Sequence, residues 1–164
     1  MKEFRAIKNT VIREAERIRQ GTFSFEDDSI QQDDEPEEFA SSYYGYWTLR
    51  NMIRNEGLPL EERDQAVAEM EWLAGSGDRN AQYLMGKLWQ DGPLLIPDSV
   101  KARRWLERAA AQGHAAAQYA LGKLLLSDDV EVHDMQEGLR WLRTAAENGS
   151  HCAAYRLGKE YLRG

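Results

Sequence analysis

The chain has 164 residues, 42% hydrophobic and 30% charged, with four prolines and a net charge of −7. A domain of that length buries roughly 70% of the surface its unfolded chain exposes, so it needs no disulfide or metal staple, and the composition excludes wholesale disorder. Charge is uneven: residues 1–40 carry 11 acids against 6 bases, residues 41–100 carry 9 against 5, and residues 101–164 carry 8 against 10. That distribution argues against a protein that wraps nucleic acid with its whole surface and leaves room for a local basic face.

Residues 1–20 predict an amphipathic helix, with Phe4, Ile7, Val11, Ala15 and Ile18 along one side and Lys2, Arg5, Lys8, Arg13, Arg17 and Arg19 among the polar positions. Three roles fit it: docking over the rest of the fold, contacting a partner or nucleic acid, or lying on a membrane surface. It lacks the continuous apolar core of a secretion signal, and no apolar run approaches the ~18 residues of a membrane span, so a cytoplasmic protein is expected. The single cysteine, Cys152, reads as a packing residue and agrees with a reducing compartment. Residues 21–40 read as an acidic loop or linker, since positions 22–38 hold eight acids, no base and Pro36; a decoy for a basic partner is the alternative. The remainder, 41–164, reads as one solenoid. It starts with a degenerate capping helix through Tyr46, Leu49 and Ile53 that ends at Gly57 to Pro59.

From there a 36-residue period governs the chain. Gly77, Gly113 and Gly149 recur at that spacing, as do Ala81, Ala117 and Ala153; Tyr83, Tyr119 and Tyr155; Gly86, Gly122 and Gly158; and Lys87, Lys123 and Lys159. Trp105 pairs with Trp141 and Asp98 with Asp134 in the same register. A fixed period of this length marks a repeat architecture. Each period reads as two helices: one from about Ser99 to Gln112, with Ala102, Trp105, Leu106, Ala109 and Ala110 on one face, closed by Gly113, and a second from about Ala115 to Leu126. Asp78, His114 and Ser150 are the expected N-caps of the second helices, His114 being the poorest of the three. The mid-helix glycines Gly86, Gly122 and Gly158 each cost about 1 kcal/mol of helix propensity, which predicts close backbone approach there, with the Ala109-Ala110 pair as the matching surface. Trp105, Trp141, Tyr83, Tyr119 and Tyr155 are expected to fill the space between successive pairs.

The segments WLERAAAQGHAAAQYALGKLLL and WLRTAAENGSHCAAYRLGKEYL resemble Sel-like repeats, a tetratricopeptide-related family with an aromatic, Ala-Ala, Gly, Ala, Tyr, Leu-Gly pattern. The copy MEWLAGSGDRNAQYLMGKLW departs from it at Glu69 and Leu73. The resemblance covers roughly residues 60–164 and implies an all-α fold, a right-handed α-solenoid of antiparallel helix pairs that serves as an interaction scaffold, with the first helices on its concave side. A narrower likeness joins DGPLLIPDSVKAR and LGKLLLSDDVEV to the C-terminal repeat regions of bacterial plasmid-mobilisation relaxases, which implies an accessory place in a mobilisation complex.

Catalytic chemistry is missing: the sequence has no phosphate loop, no GxGxxG after a strand and no HExxH, and its three histidines fall at different phases of the period. Asp128, Asp129, Glu131 and Asp134 lack the glycine and spacing of a calcium loop. No cofactor and no metal are expected, and the protein is read as a non-enzyme. What remains is surface. Arg104 and Arg108 lie one turn apart and Arg140 sits one period beyond Arg104, so the three are expected to line a groove that takes an acidic peptide or helix of a protein partner. The alternative is an accessory nucleic-acid-binding module using the basic helix faces. A weak homodimer through the C-terminal end is also expected, because Leu139, Leu142, Leu157, Tyr161 and Leu162 include residues that a further repeat would cover.

Overall fold

In the computed structural model, which describes residues 45–163, the period becomes a succession of helices. They are α1 (Tyr46–Arg54), α2 (Leu60–Gly75), α3 (Arg79–Asp91), α4 (Ser99–Ala111), α5 (Ala115–Leu125), α6 (Met135–Glu147) and α7 (His151–Arg163), with no strand among the described residues. The expected N-terminal helix, the acidic segment and residues 41–44 of the solenoid lie outside those residues.

The chain divides into two units, residues 1–73 and 74–164. In the first, α1 buries Leu49, Met52 and Ile53, and α2 buries Ala66, Val67, Met70 and Leu73. Arg63 of α2 donates through Nε and Nη2 to the Ile53 carbonyl at 3.0 and 2.9 Å. A cation at the C-terminal turn of α1 satisfies a carbonyl that no further helical N–H can reach and complements the helix dipole.

The second unit repeats the same local chemistry at each turn. Asp98 and Asp134 cap α4 and α6 by accepting from the Lys101 and Glu137 backbone N–H groups at 2.9 and 3.1 Å. Their own N–H groups donate back to Trp89 and Leu125 carbonyls at 2.8 and 2.9 Å, closing the loop before each helix in the same way. Asp134→Ala is expected to cost about 1 kcal/mol, with Asp134→Asn much milder; urea denaturation reads both, and an unchanged midpoint for the alanine variant means the loop bond alone holds the helix start. The turns after α4 and α6 are three-residue links in which Gly113 and Gly149 take φ of 82° and 92°, a region costly for any residue with a Cβ.

His114 proves a competent cap. Its Nδ1 accepts from the Ala117 N–H at 3.1 Å, and the ring stacks on Tyr83 of α3, centroids 4.7 Å apart and planes at 26°. The stacking holds the imidazole in place, which offsets its poorer acceptor geometry. Asp78 and Ser150 cap α3 and α7 in the same way, accepting from the Ala81 and Ala153 N–H groups at 2.8 and 3.2 Å.

Candidate interaction face

Contact between helices is more extensive for α3 with α4 and α5 with α6 than for α4 with α5 or α6 with α7. The glycines explain why. A Cβ on Gly86 would stand 2.6 Å from Leu106 Cγ of α4, and one on Gly122 would stand 2.8 Å from Leu142 Cγ and 3.1 Å from the Gly138 carbonyl of α6. The partner surface is therefore the leucine and small residue of the following helix, Ala102 with Leu106 or Gly138 with Leu142. It is not the Ala109-Ala110 pair, which is buried elsewhere in the core.

Tyr83 is buried and Tyr119 is half-buried against Leu142, Ala145 and Ala153, where burial pushes its phenol above the ordinary tyrosine range. Trp105 is half-buried, and Trp141 is half-buried against the core of α4 and α5. Tyr155 and Gly158 stand apart from their period mates: Tyr155 is 71% exposed, and nothing lies within 4 Å of a Cβ built on Gly158. Both sit on α7, and no helix among the described residues follows it.

A polar ladder accompanies the apolar contacts. Gln82 and Gln118, buried near the starts of α3 and α5, donate to the Ala74 and Ala110 carbonyls at 3.0 and 3.1 Å. Each accepts in turn from an amide one helix on, Gln112 at 2.7 Å and Asn148 at 2.8 Å. Both the donors and the acceptors are 36 residues apart, a signal that the sequence contained and that the apolar repeat overshadowed. Each rung joins the end of one helix, the start of the next and the end of the third, so it fixes the spacing of the turns at this edge.

The arginines separate into two kinds. Arg103 is engaged: it meets Glu107 at 2.6 Å and Glu137 of α6 at 3.2 Å, and its pKa is raised chiefly by the Glu107 hydrogen bond. Arg104 and Arg108 are exposed on α4 and have no carboxylate within ion-pair distance among the described residues. The Arg108 guanidinium lies over Trp105 at 4.9 Å. Arg140, exposed on α6, lies over Trp141 at 5.6 Å and meets Glu137 at 3.2 Å. The Arg103–Glu137 pair shows that α4 and α6 are neighbours along this side, at the residues next to Arg104 and Arg140.

The acidic residues after α5 serve separate local tasks. Asp134 is a cap, and Asp129 accepts from the Ser99 hydroxyl, the bond that chiefly holds its carboxyl below the usual range. No group of three metal-ligating side chains occurs among the described residues, and no helix there is long and apolar enough to cross a membrane.

Comparison with known proteins follows the same register. The Sel1 repeat family matches residues 79–114, 115–150 and 153–164, just over half of the chain. Its first two units are thus α3 with α4 and α5 with α6, the glycine–leucine pairs, whereas the sequence reading began each period at the Ser99 helix. The crystal structure of a Sel1 repeat protein from Oxalobacter formigenes is similar at 28% identity and a TM-score of 0.60, over 70% of this chain and 85% of that one. A protective antigen present in uropathogenic Escherichia coli strains, displaying an SLR fold, is similar in fold at 24% identity and a TM-score of 0.64, over 71% of this chain. The chain spans 25% of that antigen's length. No curated protein matches it. With helix pairs in a 36-residue register, Gly86 and Gly122 seated on the next helix's leucine and a family match that spans those pairs and α7, the chain belongs to the Sel1 repeat family, all-α helical repeats that generally act as protein–protein interaction scaffolds.

Proposed function

We propose that the exposed side of α4 and α6 captures an acidic peptide or acidic amphipathic helix of a protein partner, with Arg104, Arg108 and Arg140 as the contacting cations. The observation that carries this reading is the contrast between Arg103, satisfied by two glutamates, and Arg104 and Arg108, exposed without a carboxylate. Arg108 and Arg140 lie over tryptophan faces, which limits their freedom before a ligand arrives and lowers the ordering cost of a charge-assisted bond. Arg140 shares Glu137 with Arg103 and contributes least of the three.

Fluorescence anisotropy with a labelled helical peptide of alternating Glu and Leu turns tests it. The Arg104→Ala, Arg108→Ala, Arg140→Ala triple variant should bind at least about tenfold more weakly, a loss of ~1.4 kcal/mol. Equal binding by both proteins removes the arginines from the site. The second reading, a nucleic-acid module beside a plasmid mobilisation complex, is supported by the basic balance of residues 101–164, and random duplex DNA in the same assay distinguishes it: phosphate-driven binding falls steeply as salt rises.

A further inference from the structure

The contact between α5 and α6 has a local two-fold symmetry. Gly122 is followed four residues later by Leu126, just past the end of α5, and Gly138 of α6 is followed four residues later by Leu142. A Cβ on Gly122 would meet Leu142 Cγ at 2.8 Å, and a Cβ on Gly138 would meet Leu126 Cγ at 2.9 Å. Each helix therefore offers a socket and a plug, and running antiparallel they exchange them. On α5 the face so covered also includes Tyr119 and Leu125, the latter buried with 0% exposure.

Moving one period along places Tyr155, Gly158, Tyr161 and Leu162 on the same face of α7. No helix covers them in the described structure: Tyr155 is 71%, Tyr161 59% and Leu162 91% exposed, Gly158 has open space around it, and only the Tyr161 hydroxyl, at the edge of the face, accepts from Arg143 of α6 at 2.8 Å. Gly158 still carries the helix-propensity cost of a mid-helix glycine without the contact that its mates gain. α7 differs from α3 in one respect that decides the occupant: Gly86 is followed at the fourth position by Gln90, whereas Gly158 is followed by Leu162. α7 thus holds both halves of the exchange, the requirement for pairing with itself about a two-fold axis.

We infer that α7 pairs antiparallel with α7 of a second copy of this chain, each Leu162 seated on the other's Gly158 in repetition of the α5–α6 contact. The axis then passes at Glu160, midway between socket and plug. The Glu160 side chain itself stands on the opposite side of α7, about 180° round the helix from Gly158 and Leu162, and is bridged within its own helix to Arg156 at 3.0 Å and Arg163 at 4.0 Å, so no like charges meet at the axis. This surface is separate from the arginine side of α4 and α6, and neither reading depends on the other.

Sedimentation equilibrium of the full chain, from micromolar to near-millimolar concentration, tests the pairing. A monomer–dimer equilibrium is expected, abolished in Leu162→Asp and weakened about tenfold or more in Gly158→Leu, while the melting temperature of each dilute variant stays at or above that of the wild type, because neither side chain is buried in the monomer. The orientation is read without further substitution by spin-labelling exposed Cys152. Each Cys152 lies eight residues from Glu160, so the two labels should be separated by about 24 Å along the helix axis at ~1.5 Å per residue. A chain that stays monomeric throughout, a dimer of equal strength in Leu162→Asp, or labels in contact with each other would each overturn the pairing.

Discussion

Gly122→Ala is expected to destabilise the fold by about 2 kcal/mol, while the same exchange at Gly158, measured in dilute solution, is expected to stabilise it by up to ~1 kcal/mol. Both glycines stand at the same point of the period, in the same helix of their repeat, and alanine improves the intrinsic helix propensity equally at each. What differs is the space. The added methyl at 122 would lie 2.8 Å from two atoms of Leu142, a side chain buried with 0% exposure, and 3.1 Å from a backbone carbonyl that moves only with the whole of α6. At 158 it meets nothing within 4 Å. Gly122→Leu should cost more still, about 3 kcal/mol. Thermal and urea unfolding of the three variants decide the matter, and a Gly122→Ala protein as stable as the wild type means that α6 yields freely and that the close approach is no constraint.

Gln118→Leu should cost about 1–2 kcal/mol, despite similar volume and better hydrophobicity at a position that is 2% exposed. The amide is the only hydrogen-bond donor from a side chain to the Ala110 carbonyl among the described contacts, at 3.1 Å, and Ala110 is itself buried. The Ala110 carbonyl keeps the Gly113 N–H at 3.0 Å, so leucine removes one of its two partners together with the bond from Asn148 and does not orphan the group. Asn148→Ala breaks the other half of the rung, but Asn148 is exposed and water can replace it, so a cost of only about 0.5–1 kcal/mol is expected. If the two variants unfold at the same urea concentration, the buried half of the ladder holds no more than the exposed half.

The period itself was legible because it is written in residues that backbone geometry restricts. Only glycine is tolerated cheaply at the positive φ of Gly113, and only glycine admits Leu106 or Leu142 over the helix at 86 and 122. Sequence showed that a close approach had to exist there. It did not show to what, because a propensity cost identifies the crowded residue and is silent about the neighbour; hence the misassignment to Ala109-Ala110. The amide ladder was equally periodic, yet glutamine and asparagine are common on exposed helix faces, so spacing alone gave no sign that Gln82 and Gln118 are buried. On the candidate site, the i,i+4 spacing of Arg103 and Glu107 could have marked Arg103 as satisfied, whereas its bond to Glu137 crosses 34 residues and is a tertiary fact. The exposure of Tyr155 and Gly158 was hidden by the very regularity of the repeat, which assigns all three copies one environment although only two are followed by a described helix.

A double-mutant cycle between Gly122 and Leu142 tests the register of the repeat most directly. Leu142→Ala alone should cost about 2–5 kcal/mol through the space it vacates. In the Gly122→Ala, Leu142→Ala double variant the new methyl occupies part of that space, so the combined loss should fall short of the sum of the single losses by at least ~1 kcal/mol. Losses that add to within about 0.5 kcal/mol would show that the two residues do not meet, and would contradict the seating of Gly122 on the leucine of the next helix.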